Sequence, residues 1–373
     1  MRYCKKCLEP DTRPDCIFDE EGVCLPCRYH EQVHEIDWRE RRRQLEEIAA
    51  WGKARNVSGY DCLIPVSGGK DSHRQALYCR DELGLKPLLV SCAYPPEQQT
   101  ERGADNLSNL VNLGFDCVYV SPGPETWRQL VRLAFFKWGN LYKTSELALY
   151  ATGARVAILY HIPLTVYGEN PALSWGSAGG SLDGDGNRLK YNNTLRGGDL
   201  SWILESGISP KELFWYRYPT DAEIAWGDLR IIYLGYFISD FNDFANADVS
   251  IRHGLQVRDD DEKALEELGQ INGWVALDCD FIAVNQMLKQ MKLGFGKAVE
   301  QCSGAIRNGY MTREDAVELA RKYDGKCGQK YIEKFCSFLD ISVEEFWEVA
   351  ESYRNRDLWV ADGNDWRLAE PIR

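Results

Sequence analysis

Residues 66–72 read Val-Ser-Gly-Gly-Lys-Asp-Ser, directly after the apolar run Cys62-Leu63-Ile64-Pro65. Two glycines, two hydroxyls, a lysine and an aspartate therefore fall where a buried strand ends. In a strand-to-helix turn, glycines let backbone N–H groups point into a concavity, and the helix N-terminus that follows adds positive potential. The turn reads as a phosphate cradle. It is not G-x-x-x-x-G-K-[ST], because Lys70 is followed by Asp71 and not by a hydroxyl, and it does not fit G-x-G-x-x-G. Ser67, Gly68, Gly69, Lys70, Asp71 and Ser72 are the expected contacts to the phosphates of ATP. Lys70 offsets phosphate charge, and Asp71 is placed to ligate the Mg²⁺ that travels with ATP. The plainer alternative is a glycine turn with a solvent-facing Lys-Asp pair. Six suitable residues in succession after a first strand make that the weaker reading.

Outward from the turn, short apolar strands are expected at Asp61–Val66, Lys86–Ala93, Phe115–Val120 and Pro163–Gly168, with a fifth at Arg230–Phe237. Helices fill the gaps: one through Leu83, then Thr100–Leu113, Pro124–Lys137 and Ser145–His161, preceded by one from Ile36 to Asn56. This alternation predicts an α/β fold with a parallel sheet covered by helices on both faces. Right-handed crossovers put all strand C-termini on one edge, where ligands bind. Glu169 and Asn170 follow the fourth strand and belong on that edge. Glu169 is a candidate catalytic group, as metal ligand or proton acceptor, and Asn170 a candidate for orienting a substrate amide. An ordinary strand-ending turn before Pro171 is the bland alternative.

Residues 174–199 are rich in Gly, Asn and Asp without periodicity, which marks them as a candidate substrate-binding segment. From Asp280 the pattern is helical, over 281–292, 296–308, 312–322, 328–337 and 342–355. Thr312 and Ser342 open segments that resemble capping boxes. Between two of these helices lies Lys292-Leu-Gly-Phe-Gly-Lys297, whose lysines are candidate phosphate contacts or else solvated ends of a helix–helix connection. The expected domains are a zinc module at 1–35, an ATP-binding catalytic domain at 36–250 and a helical region at 251–373.

The zinc module rests on Cys4-Lys-Lys-Cys7 and Cys24-Leu-Pro-Cys27, a C-x2-C-x16-C-x2-C spacing. Each C-x-x-C turn places two sulfurs on one side of an ion, and four close a tetrahedron. Such a site has no open position, so its role is structural. Cys16, His30 and His34 lie close enough to substitute, although the paired spacing favours the four named. The chain has 373 residues, 44% hydrophobic, enough for a substantial core. Its net charge of −13 disfavours a nucleic-acid backbone as substrate and favours a small molecule. Nothing approaches a membrane-spanning apolar run, and the N-terminus lacks the apolar region of a signal peptide, so a cytoplasmic location is expected. The 13 cysteines are then not expected to form a disulfide framework, and Cys62, Cys79 and Cys92 are expected to behave as small buried apolar groups.

Ser67–Ser72 after a strand resembles the pyrophosphatase-loop (PP-loop) ATP enzymes. Together with the cysteine pairs, Gly168-Glu-Asn-Pro171, Tyr233-Leu-Gly-Tyr236, Lys292–Lys297, Ile306-Arg-Asn-Gly309 and Tyr323-Asp-Gly325, the chain resembles the N-acetyl sugar amidotransferases over nearly its whole length. That resemblance implies cleavage of ATP between its α- and β-phosphates, adenylation of an acetamido oxygen, and displacement of AMP by ammonia to give an acetamidino sugar in bacterial surface-polysaccharide (O-antigen) biosynthesis. It implies ATP as cosubstrate with Mg²⁺ and structural Zn²⁺. It also implies a separate glutaminase subunit, related to that of histidine biosynthesis, with a cyclase-like companion to pass ammonia, since nothing in the sequence looks like a glutaminase. A rival reading is a zinc-containing tRNA-thiolating enzyme of the same superfamily. The acidic charge and the absence of a C-x-x-C pair after Cys27 count against it.

Overall fold

The computed structural model describes residues 1–170, 174, 181–191, 194–363 and 365–373. Pro171, and residues 175–180 and 192–193 of the 174–199 segment, lie outside the described residues. The second cysteine pair runs directly into helix α1 (Leu25–Gln32), and α2 (Trp38–Ala54) follows, started by the Asp37 carboxylate, which accepts from the Arg39 and Glu40 amides. The sheet elements then alternate: β1 (Cys62–Pro65), α3 (Lys70–Leu77), β2 (Pro87–Cys92), α4 (Glu101–Asn112), β3 (Asp116–Val120), α5 (Pro124–Trp138), α6 (Tyr142–Leu159) and β4 (Leu164–Tyr167). Helices α7 (Ser201–Leu204) and α8 (Asp221–Trp226) precede β5 (Arg230–Tyr233).

The strands form one five-stranded sheet in the order β3-β2-β1-β4-β5, every pairing parallel. The order reverses between β1 and β4, and a crevice opens at such a switch point beyond the strand C-termini. The alternation of side chains along β1 divides the core. Leu63 joins Leu88, Val90 and residues of α5 and α6 on one face, while Cys62 and Ile64 join residues of α2, α3 and α4 on the other. A parallel sheet covered on both faces needs apolar side chains on both, which is why these strands read as continuous apolar runs.

Two departures from the sequence expectation matter. The fifth strand stops at Tyr233, and Leu234–Tyr236 form a single 3-10 turn. The chain then builds α9 (Asp243–Arg252) and α10 (Glu262–Leu268), neither expected. Asn242 starts α9 by accepting from the Phe244 and Ala245 amides. Beyond them, α11 (Phe281–Leu293), α12 (Lys297–Arg307), α13 (Arg313–Tyr323), α14 (Gln329–Leu339) and α15 (Val343–Ser352) match expectation to within a few residues. Thr312 and Ser342 accept from the amides three residues on, as N-caps do. An antiparallel pair, β6 (Trp359–Asp362) and β7 (Asp365–Leu368), closes the described chain.

The C-terminal helices are fastened to the sheet by aromatic packing. Phe135 of α5 stacks on Phe346 of α15, with centroids 5.4 Å apart, and meets Phe335 of α14 edge-on at 5.3 Å. Phe281 of α11 meets Phe335 at the same 5.3 Å separation. Each such pair adds about 0.5–1.5 kcal/mol beyond its buried area. This seam ties α11, α14 and α15 to α5 on the sheet, and α12 follows α11 directly.

Gly68 has φ +84°, and a Cβ there would lie 3.1 Å from both the Cγ and the amide nitrogen of Leu107. Gly68→Ala should therefore cost about 1–3 kcal/mol, seen as a lower urea midpoint, whereas Gly69→Ala, whose added carbon meets only the Ser67 hydroxyl at 3.5 Å, should cost less.

Candidate active site

The turn after β1 is held by its own hydroxyls. The Ser67 amide donates to Ser72 Oγ at 3.0 Å, and the Gly69 amide donates to Ser67 Oγ at 3.4 Å. Gly69 starts α3, so the unpaired N–H groups of that helix's first turn face the same concavity. Lys70 does not face solvent. Its side chain is 7% exposed, with Nζ 2.7 Å from Asp71 Oδ2 and 2.9 Å from Asp243 Oδ1. Burial alone would depress this amine, but Asp243, Asp71 and Glu169 outweigh it and hold Lys70 above its ordinary range. Helix α9 is clamped to α3 by Ser250 Oγ, which donates to the Lys70 carbonyl at 2.7 Å, and by Asn246 Nδ2, which donates to Asp71 Oδ1 at 2.8 Å.

Asp71, Glu169 and Asp243 present carboxylate oxygens within 4.8 Å of one another. Three carboxylates crowd the buried Lys70 here, with Lys297 the next cation acting on them. Burial first, then Asp71 and Asp243, push Glu169 up to about 8. Burial would also raise Asp243, but Lys70 and Lys297 more than offset it and keep that carboxyl below its usual range. Hard oxygen ligands crowded in this way suit Mg²⁺, which takes one or two protein carboxylates alongside phosphate oxygens.

These carboxylates stand between two cavities. One, of about 380 Å³, lies over the C-termini of β1, β2 and β4 and is lined by Ser67, Ser72, Cys92, Tyr150, Tyr167 and Tyr233 among others. The second, of about 340 Å³, opens toward the cysteine module and α12 and is lined by His30, Lys70, Asp243, Lys297, Glu300 and Arg307 among others. Asp71 and Glu169 line both. Gly168 lets the β4 turn approach this closely, since a Cβ there would lie 3.0 Å from the Phe241 ring and overlap the Gln75 amide.

The sequence-derived candidates divide accordingly. Ser67, Lys70, Asp71, Ser72 and Glu169 converge, and Lys297 reaches the second cavity. Asn170 is buried and serves the local backbone, its side chain bonding both the amide and the carbonyl of Ser181. Lys292 is not brought to either cavity: its Nζ donates to the Trp138 carbonyl at 2.6 Å, beside the Tyr353 ring. Gly294, at φ +78°, ends α11 and turns the chain between the two lysines. Asp243 was not anticipated; the sequence offers His30 only as a substitute ligand for the cysteine site, and Arg307 only as part of the Ile306–Gly309 motif. His30 is held neutral, down to about 4, by burial and then by Arg307.

At the front of the chain, Cys4, Cys7, Cys24 and Cys27 are buried with their sulfurs within 4.8 Å of one another. Cys4 and Cys27 are 3.9 Å apart, and Cys7 and Cys24 3.7 Å. A tetrahedron with arms of about 2.3 Å has edges of about 3.8 Å, so the spacing fits zinc; a disulfide would need about 2.05 Å. The amides of Lys6, Glu9 and Cys24 donate to these sulfurs, as suits thiolate ligands. His30 lines the second cavity instead of completing this set.

If Mg²⁺ is held here with Glu169 among its ligands, it would have to displace the Glu169 proton. Its affinity should therefore rise with pH, by roughly tenfold per unit up to about 8, where Glu169 is ionised. In Glu169→Gln the slope should flatten. Isothermal titration at several pH values checks this, and a pH-independent affinity in the unaltered protein contradicts it.

Residues 255–373 match the family model for the C-terminal domain of WbpG-like LPS biosynthesis proteins. No curated protein matches the chain. Among the described residues no helix is long and apolar enough to cross a membrane. The matched segment contributes α12, and with it Lys297, Glu300 and Arg307, to the wall of the second cavity; over its last third the chain thus resembles proteins of the WbpG type.

Proposed function

We propose that this chain is an ATP-dependent amidotransferase of lipopolysaccharide biosynthesis, which adenylates the acetamido oxygen of an N-acetylated sugar and replaces it with ammonia. One observation carries the reading: a buried lysine and three carboxylates stand at the boundary between a cavity over the sheet and a second cavity walled by the C-terminal helices. A reaction that joins a nucleotide to another molecule needs two such chambers meeting at one charged point. The match of residues 255–373 to an LPS biosynthesis domain supports the pathway.

An acetamide is a poor electrophile and its oxygen a poor leaving group. In the proposed reaction that oxygen attacks the α-phosphorus of ATP and pyrophosphate leaves; ammonia then adds at carbon and AMP departs with the oxygen. The work is positioning and charge stabilisation. Ser67–Ser72 hold the departing pyrophosphate with backbone amides and hydroxyls, and Lys70 offsets its charge. Asp71, Glu169 and Asp243 are the carboxylates that would hold Mg²⁺, which would supply further neutralisation of phosphate oxygens. The cavity over the sheet takes the adenosine and the second cavity the sugar, with Lys297 beside it. Zinc has no step in this scheme. A glutaminase subunit related to that of histidine biosynthesis, with a cyclase-like companion, supplies ammonia.

Incubation with Mg-ATP, ammonium and candidate acetamido sugars, nucleotide-linked uronic acids and nonulosonates among them, should release AMP. The sugar should become lighter by the difference between oxygen and NH. Lys70→Gln and Asp71→Asn should each lower turnover about 10²–10³-fold. The absence of AMP with every acetamido sugar, or an AMP yield that depends on added tRNA, overturns the reading.

A further inference from the structure

The cysteine cluster and the second cavity are joined through one side chain. Arg307, at the end of α12, is 6% exposed and lines the cavity. Its Nη1 lies 3.7 Å from Cys7 Sγ and 3.7 Å from Glu9 Oε2, and its Nη2 donates to the Ser174 carbonyl at 3.1 Å. Glu9 is fully buried and also bonds Arg13. Arg13 in turn reaches Glu300 at 2.7 Å, and Glu300 holds Lys289 at 2.9 Å and Lys297 at 3.5 Å. Charges of alternating sign thus run from a cysteine sulfur to the cavity lysine. Arg307 and Lys297, at opposite ends of α12, both face the cavity through this chain.

Both anionic partners of Arg307, Cys7 and Glu9, belong to the first cysteine turn. That turn has little apolar core of its own. Its buried cluster consists of the four cysteines and Val23, with Cys16, Phe18 and Ile306 packed against it. A module of this kind takes its shape from the ion. Leu8, between Cys7 and Glu9, is held against Phe295 and Val299, and its amide donates to Ser303 Oγ at 3.2 Å; an ion bound at the sulfurs would fix the cysteine side of this turn, and Cys7 and Glu9 would in turn set the guanidinium.

We propose that Arg307 is a positioning residue that makes the sugar cavity dependent on the zinc module while leaving the ATP cavity independent of it. The inference rests on the reading that the second cavity takes the sugar. Coupling of this kind is reciprocal: if zinc shapes the cavity, a sugar filling the cavity must tighten the binding of zinc. A structural zinc site that served only local folding would show no such effect.

The test uses the full chain with Arg307→Gln and Arg307→Lys. Zinc release to a colorimetric chelator should be about tenfold faster in Arg307→Gln, the size of effect usual for partners of metal ligands, with Arg307→Lys in between. The KM for the acetamido sugar that turns over in the assay above should rise about tenfold or more in Arg307→Gln, while the Kd of Mg-ATP stays the same. That sugar should tighten zinc binding to the unaltered chain, measured by equilibrium competition with the chelator, and not to Arg307→Gln. Zinc release unchanged by Arg307→Gln overturns the inference, as does an unchanged KM or an equal loss of ATP affinity. A chain that turns over no acetamido sugar overturns the proposed reaction instead, and zinc release then still judges the role of Arg307.

Discussion

The Lys70 ammonium, buried at the end of the first strand, is the constraint on which the site depends. A buried charge must be paired, and its partners here come from three places: Asp71 from the same turn, Glu169 from the turn after β4, and Asp243 from a helix that follows the whole sheet. The requirement that this one charge be compensated therefore draws the two sides of the switch point and α9 together. The three carboxylates crowd so closely that burial and their mutual repulsion raise Glu169. A buried ammonium, the amides of a helix start and a carboxylate cluster thus coexist within a few ångströms, the charge pattern that the proposed metal-nucleotide complex would need.

Around that cluster the molecule arranges two chambers of different character. The cavity over the sheet is walled by strand ends and tyrosines, positioned by the parallel sheet itself. The second is walled largely by charged and polar side chains from α9, α12 and the cysteine module. Its shape depends on long-range packing: the phenylalanine seam that fixes the C-terminal helices, and the ion chain from Cys7 through Glu9, Arg13 and Glu300. The first chamber belongs to the fold, and the second is assembled from parts that the fold merely brings near.

This difference explains what was legible in the sequence. The glycine turn, the strand order of events and the cysteine pairs are local signals, encoded in neighbours a few residues apart. Ser67–Ser72 and Glu169 could be placed on one edge because crossover handedness puts every strand end there. Asp243 could not, because its role depends on α9 folding back across α3, and no periodicity announces that; the only trace is Asn242 as a helix-starting residue. Lys292 and Lys297 looked equivalent in the sequence. The left-handed turn at Gly294 sends one toward Trp138 and the other into the cavity. His30, next to a zinc-like motif, invited reading as a ligand, but four cysteines already complete that set and leave the ring to the cavity.

The central claim is that the two chambers hand one oxygen from sugar to nucleotide. It is tested most directly with an acetamido sugar carrying a heavy-oxygen label in its acetyl group, incubated with the chain, Mg-ATP and ammonium, followed by mass spectrometry of the AMP. The account predicts the label in the AMP phosphate and none in the pyrophosphate. Unlabelled AMP, with the heavy oxygen retained in the sugar or lost to water, would contradict it.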